Sequence, residues 1–241
     1  MNDLEINKIY HECNLNTMLQ MDDNFVDMVI TSPPYNVGNN NMTENKYNND
    51  VDRKNTNEYE EWLFKIIDEL LRITKTHVFF NIQMLSNNKS TIFKLFGRYA
   101  DKIKDIIIWD KNQPTPAIER GVLTSKFEFI IIFSNENPNK RKFLNGNFHG
   151  NFTNVVKGNN ASGNIYAKEH RATFPLYLPR TFLLKFGKEQ DLIYDPFMGS
   201  GTTALACIKE NRNYIGSEIS KEYIELSNKR IDQHTAQKTL F

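Results

Sequence analysis

The chain has 241 residues, 39% of them hydrophobic and 24% charged, with two cysteines, which suits one domain or two small ones with a core that needs no disulfide staples and excludes a disordered chain. Cys13 and Cys207 have no CxxC partner, no apolar run approaches the roughly 20 residues that cross a bilayer, and the start lacks the form of a signal peptide, so a soluble, cytoplasmic protein without a zinc ribbon or a membrane partner is expected. The formal charge is only +1, yet residues 71–190 hold 19 basic and 8 acidic side chains while residues 1–70 hold 5 and 14, and a local basic excess keeps a polyanion open as partner.

Short apolar or aromatic runs predict strands at about 8–12, 26–31, 77–82, 105–109, 127–133, 191–195 and 213–218. Near-continuous apolar runs suit strands buried on both faces of a mostly parallel sheet. Between the second and third runs, Trp62, Leu63, Ile66, Ile67, Leu70 and Leu71 recur at helical spacing, with acids early and Arg72 and Lys75 late, as the helix dipole favours. Further helices are predicted over 87–97 and 178–186 and after Gly201 and Ser220. The segment between the fourth and fifth strands has two prolines, a glycine and no helical period, so those strands are expected to pair antiparallel. The fold class is therefore α/β, a doubly wound, seven-stranded, mostly parallel sheet with one antiparallel strand, built as a single domain over 1–241. Residues 134–169 contain ten Asn, the run Lys140-Arg141-Lys142 and isolated aromatics. With 36–57, they read as long loops or a small insert used for recognition.

Two segments carry chemistry. Asp195-Pro196-Phe197-Met198-Gly199-Ser200-Gly201-Thr202-Thr203-Ala204 follows an apolar strand and opens a helix. Gly199, Gly201 and Ala204 satisfy the pattern in which backbone approaches a nucleotide at a helix N-terminus, and Glu218, at the end of the next strand, is spaced to bind ribose hydroxyls. The loop has no Gly-Lys-Ser/Thr, which disfavours a nucleoside triphosphate and leaves NAD and S-adenosylmethionine. The second segment, Thr31-Ser32-Pro33-Pro34-Tyr35-Asn36, follows the strand at 26–31. Its prolines remove two donors and leave carbonyls outward, so Ser32 and the Pro33 carbonyl can accept the N–H bonds of a planar amine while Tyr35 stacks on its face.

Together these segments resemble the DNA amino-methyltransferases, in which DPF-x-GSGTT is the cofactor loop and S/D/N-PP-Y/F the catalytic motif. Here the catalytic motif comes first, as in the circularly permuted beta group. Tyr10-His11-Glu12-Cys13 with Asn14 resembles the lining of the adenosine pocket, with Glu12 in place of the usual Asp. Trp109-Asp110-Lys111 and Ser125-Lys126-Phe127-Glu128-Phe129 resemble paired strands near the base pocket. The stretch from His170 through Thr173, Phe174 and Pro175 to Pro179 resembles the cover over the methionine end of the cofactor. The resemblance implies a Rossmann-like fold with S-adenosylmethionine as cofactor, no metal, and DNA as partner. Catalysis falls to Ser32, Pro33, Pro34 and Tyr35; the cofactor falls to Asp195, Pro196, Phe197, Gly199, Ser200, Gly201, Thr202, Glu218, Glu12, Cys13, Thr173 and Phe174.

The expected reaction is direct methyl transfer to the exocyclic amino group of a flipped base, in a restriction-modification setting. Ser before Pro-Pro favours cytosine N4 over adenine N6 in that family. With no Pro-Cys pair, carbon-5 methylation, which needs a thiolate, is disfavoured. An RNA amino-methyltransferase, an inactive DNA-binding relative and an NAD oxidoreductase are the weaker alternatives. Lys140, Arg141 and Lys142 are expected on DNA phosphates, and the small recognition segment favours a homodimer or a short target.

Overall fold

A computed structural model describes residues 4–37, 55–115, 120–137, 139–159 and 175–238. Its strands are β1 (Lys8–His11), β2 (Val26–Thr31), β3 (Thr74–Ile82), β4 (Ile103–Thr115), β5 (Ser125–Phe133), β6 (Val155–Gly158), β7 (Leu192–Asp195) and β8 (Asn213–Glu218). Six helices lie between and after them: α1 (Asn14–Leu19), α2 (Thr56–Ile73), α3 (Lys89–Arg98), α4 (Tyr177–Phe186), α5 (Thr202–Lys209) and α6 (Lys221–Lys238). The strands form one sheet in the order β1-β8-β7-β2-β3-β5-β4-β6. Among the described residues only β5 runs against its neighbours; every other pairing is parallel.

Helices cover both faces. Met18, Leu63, Ile66, Leu70, Ile92 and Leu95, from α1, α2 and α3, pack with Val29, Phe80 and Tyr194 on one side. Leu178, Phe182, Phe186, Ala204 and Cys207, from α4 and α5, pack with Met28, Ile30, Phe79 and Ile193 on the other. Because each central strand feeds both cores, its apolar residues do not alternate with polar ones. Helix α2 starts where the sequence sets it, since Asn55 and Glu58 form a reciprocal capping box. Among the described residues no helix is long and apolar enough to cross a membrane.

The seven expected strands are all present, with 26–31, 191–195 and 213–218 beside one another at the centre. Two differences concern length and number. Strand β4 runs on past Trp109 through Pro114 to Thr115. The last β6 pairing is Lys111 with Gly158, so Pro114 faces a strand edge that asks for no backbone donor. An eighth strand, β6, adds to β4 inside the segment expected as loop. At four residues, with none buried, it leaves no apolar run in the sequence.

Candidate active site

Parallel packing of β2 beside β7 sets both chemical segments at one carboxyl edge, the place where doubly wound sheets bind ligands. Asp195, the last residue of β7, ties them together. Its Oδ1 accepts from the Thr31 hydroxyl at 2.8 Å and from the Phe197 amide at 3.0 Å, and its Oδ2 accepts from the Thr203 hydroxyl at 2.6 Å. Burial pushes this carboxyl up to about 6, against the pull of those three donors. The carboxylate thus pins the Gly-rich loop, the first turn of α5 and the residue before Ser32 to one another.

The Gly-rich loop is shaped for close approach. Gly199 and Gly201 adopt φ of 52° and 77°, a region that side chains resist. A Cβ on Gly201 would also meet Ser227 Cβ at 2.8 Å. The Gly199 amide donates to Glu218 Oε2 at 2.9 Å, and Glu218 Oε1 accepts from the Ser220 amide at 2.8 Å. Burial raises the Glu218 carboxyl, opposed by these amides. Pro196 offers its carbonyl to the Asn14 amide at 3.2 Å, and Phe197 sets its ring edge-on to Trp62, 5.6 Å between centroids. Thr202 is buried as the first residue of α5. Across the β1 end, Cys13 is exposed, and Glu12 Oε1 accepts from the Thr17 hydroxyl at 2.8 Å. Thr173 and Phe174 lie outside the described residues.

One residue of this loop's support is absent from the sequence reading. Arg230, buried on α6, donates to both the carbonyl and the hydroxyl of Ser200. Its only trace in the sequence is a basic residue on the weakly amphipathic C-terminal helix, which gives no hint of what it reaches.

Around the Pro-Pro segment, backbone carbonyls are sorted by their partners. Tyr59 donates to the Pro34 carbonyl at 2.8 Å and Asn88 to the Tyr35 carbonyl at 2.8 Å. The Pro33 carbonyl has no donor among the described residues. Asn36 turns the chain with φ of 57°, a conformation Asn tolerates. The Tyr35 hydroxyl is 2.8 Å from Ser32 Oγ and donates to Glu128 Oε2 at 2.9 Å. Asn81, at the end of β3, reaches Tyr35 Oη at 2.5 Å and Glu128 Oε2 at 2.7 Å. Lys111 Nζ holds the other oxygen, Glu128 Oε1, at 3.1 Å. Lys111 and Glu128 came with the family resemblance; Asn81 was missed, although an amide in the apolar run HVFFNI is a visible exception.

The basic run is not brought to this edge. Strand β5 descends, so the chain leaves it at the amino edge, where the Lys140 carbonyl accepts from Lys104 Nζ at 2.5 Å. Lys104 stands seven residues before Lys111 on β4, roughly 23 Å away at strand rise. Residues 143–152 then cross the α4 face, with Phe143, Phe148 and Phe152 around Phe186. The exposed Lys140, Arg141 and Lys142 therefore stand at the opposite end of the sheet from Ser32. Among the described residues, exposed basic side chains near the carboxyl edge include Arg120, Lys126 and Lys157, on or beside β4, β5 and β6, with Lys89 and Lys221 at the starts of α3 and α6.

A doubly wound sheet that sets a glycine-rich loop and a Pro-Pro segment at neighbouring strand ends is the architecture of a nucleotide-cofactor enzyme. A family model described as DNA methylase, for N6 and N4 amino-methyltransferases, matches residues 26–229, and the chain belongs to that family. It is 27% identical over 255 residues to the type II methyltransferase M.BglII of Bacillus subtilis, covering 92% of this chain and 68% of that protein. It is 28% identical over 245 residues to the type II methyltransferase M2.MboI of Moraxella bovis, covering 94% and 88%. Among solved structures, the cytosine-N4-specific PvuII DNA methyltransferase superposes with a TM-score of 0.72 at 17% identity, over 92% of this chain and 84% of that one. M1.HpyAVI in complex with SAM gives 0.60 at 24% identity, over 92% and 98%. Both share the fold.

Proposed function

We propose that the protein methylates the exocyclic amino group of a base flipped out of DNA, using S-adenosylmethionine, with cytosine N4 as the favoured target, as the modification partner of a type II restriction system. The observation that carries this reading is the Thr31–Asp195 bond, which locks the amine-accepting Ser32-Pro33 pair beside the glycine cradle. Gly199, Gly201 and the Glu218 carboxylate would hold the adenosine end; the bound cofactor supplies an electrophilic methyl group. Glu12 and Cys13 line the same side, and Thr173 and Phe174 are assigned to its cover by family resemblance.

The rest is done by this chain. Ser32 Oγ and the Pro33 carbonyl accept the two amino hydrogens, which localises the nitrogen lone pair and offsets the positive charge that builds as the N–C bond forms. Tyr35 and the Pro-Pro backbone fix the base plane, so donor and acceptor meet in line. No thiolate takes part. Cys207 is buried on α5 with its thiol pushed far up by burial, and Cys13 lies on the β1 side. DNA contact is assigned to Arg120, Lys126 and Lys157 rather than to the run at the amino edge. Nucleoside mass spectrometry of DNA treated with the purified protein and S-adenosylmethionine is expected to give N4-methylcytosine. N6-methyladenine alone would overturn the base preference, and no methylated base at all would overturn the activity.

A further inference from the structure

The polar cluster behind Ser32 draws on four strands or their ends: Ser32 and Tyr35 after β2, Asn81 on β3, Lys111 on β4 and Glu128 on β5. Glu128 and Lys111 keep 9% and 4% of their side-chain surface, so they are placed here against the cost of burying charge. The hydrogens in this cluster have one consistent order. Glu128 carries only acceptors, so the single Tyr35 proton goes to Oε2. Asn81 donates through Nδ2 to Tyr35 and Glu128, with a longer 3.4 Å contact to Ser32 Oγ in which Ser32 accepts. The remaining contact, Ser32 with Tyr35 at 2.8 Å, must then have Ser32 as donor. With its own hydrogen turned inward, the Ser32 oxygen presents lone pairs to the amine.

We propose that Ser32, Tyr35 and Glu128 form a proton relay, in which Glu128 is a positioning residue that orders the two hydroxyls and then receives the proton the amine must lose. This rests on the amino-methylation reading above. As the amino nitrogen bonds to the methyl carbon, the methyl–sulfur bond breaks and its electron pair stays on sulfur. The nitrogen proton passes to Ser32 Oγ, the Ser32 proton to Tyr35 Oη, and the Tyr35 proton to Glu128 Oε2. Sulfonium becomes thioether, and the one proton released rests on Glu128 until product leaves and water takes it. Lys111 occupies Oε1 and so turns Oε2 toward the hydroxyls, while Asn81 sets the spacing between Tyr35 and Glu128.

The test is single-turnover transfer of tritiated methyl from S-adenosylmethionine to genomic DNA of an unmethylated host, with cofactor affinity measured by calorimetry. Glu128→Gln and Tyr35→Phe are each expected to slow transfer about 100-fold, the scale of proton-transfer catalysis, with cofactor affinity unchanged. Residues acting as one unit are not additive, so the double variant should be no slower than either. The wild-type rate should fall in D2O, and this dependence should vanish in both variants. Glu128→Gln combined with Lys111→Gln removes both buried charges at nearly constant volume. A relay keeps that variant slow, whereas a merely structural pair lets it recover. Near-wild-type transfer by Glu128→Gln, recovery in the paired variant, or multiplicative losses would each overturn the relay and leave the proposed activity standing. Failure of the wild type to methylate DNA would instead overturn the activity, and the relay with it.

Discussion

Strands β4 and β5 carry a buried lysine–glutamate cluster at each end, and the two differ in what the leftover hydrogen-bonding capacity faces. At the amino edge, the Lys104 side chain is fully buried, 3.2 Å from Glu136 Oε2, and its remaining donors go to the carbonyls of Asn137 and Lys140. Glu136 Oε1 lies 2.9 Å from the buried His77, whose basicity is lowered by burial against the pull of Glu136. Phe143 covers the group, 5.7 Å from Lys104 Nζ. At the carboxyl edge the pair is Lys111 with Glu128, and the spare acceptor of Glu128 meets two hydroxyls and an amide that end at Ser32. One cluster is closed by backbone and aromatic rings; the other opens onto Ser32, the proposed reacting position. Charge burial alone therefore does not mark a site: the direction of its unspent hydrogen bonds does.

Breaking each cluster should separate stability from activity. Removing one partner of a buried pair leaves a naked charge, so Glu136→Ala is expected to cost about 3–5 kcal/mol in chemical denaturation. Transfer by the fraction still folded at low temperature should stay close to the wild-type rate, because Glu136 touches neither chemical segment. A 100-fold loss in that fraction would erase the contrast between the two ends. Lys111→Met should show the reverse emphasis, with transfer slowed about 100-fold through misordered hydroxyls, beyond what its melting curve explains.

Smaller effects sharpen the picture of the carboxyl edge. Gly201→Ala forces a side chain into a left-handed conformation against Ser227, and a loss of about 1–3 kcal/mol is expected. Weakened cofactor binding in calorimetry should accompany it. Unchanged affinity would mean that the cradle does not touch the cofactor. Replacing Lys140, Arg141 and Lys142 together by Ala should leave DNA affinity within about twofold and the salt slope intact, whereas replacing Lys126 and Lys157 should flatten the slope by about one per lost phosphate contact. A large loss from the triple variant would return DNA to the amino edge.

A further expected effect concerns pH. Asp195 has a folded value of about 6 against an ordinary 3.8, so the folded chain holds this proton more tightly than the unfolded one. Its contribution to stability is fully present below the unfolded value and is lost as pH rises through about 6. Buried His77 acts in the opposite sense, losing stability as pH falls below its ordinary 6.5. The difference between wild-type and Asp195→Asn melting curves from pH 4 to 7 isolates the first term. A difference that grows toward high pH in favour of the wild type would contradict it.

What the sequence determined by itself was local. Two prolines end a strand whatever surrounds them, glycines at 199 and 201 admit a backbone that other residues refuse, and Asn55 with Glu58 starts a helix without help. The strand runs, the one antiparallel strand and both chemical segments followed from such short-range rules and from family resemblance. Tertiary structure alone decided the rest. Ser32, Tyr35, Asn81, Lys111 and Glu128 meet only because β5 inserts between β3 and β4, and Arg230 finds Ser200 only once α6 packs beside the loop. The placement of the basic run turned on direction rather than composition. A strand that descends must release its chain at the amino edge, so the charge excess that pointed to DNA was correct in sign, and its densest cluster lies at the far end of the sheet.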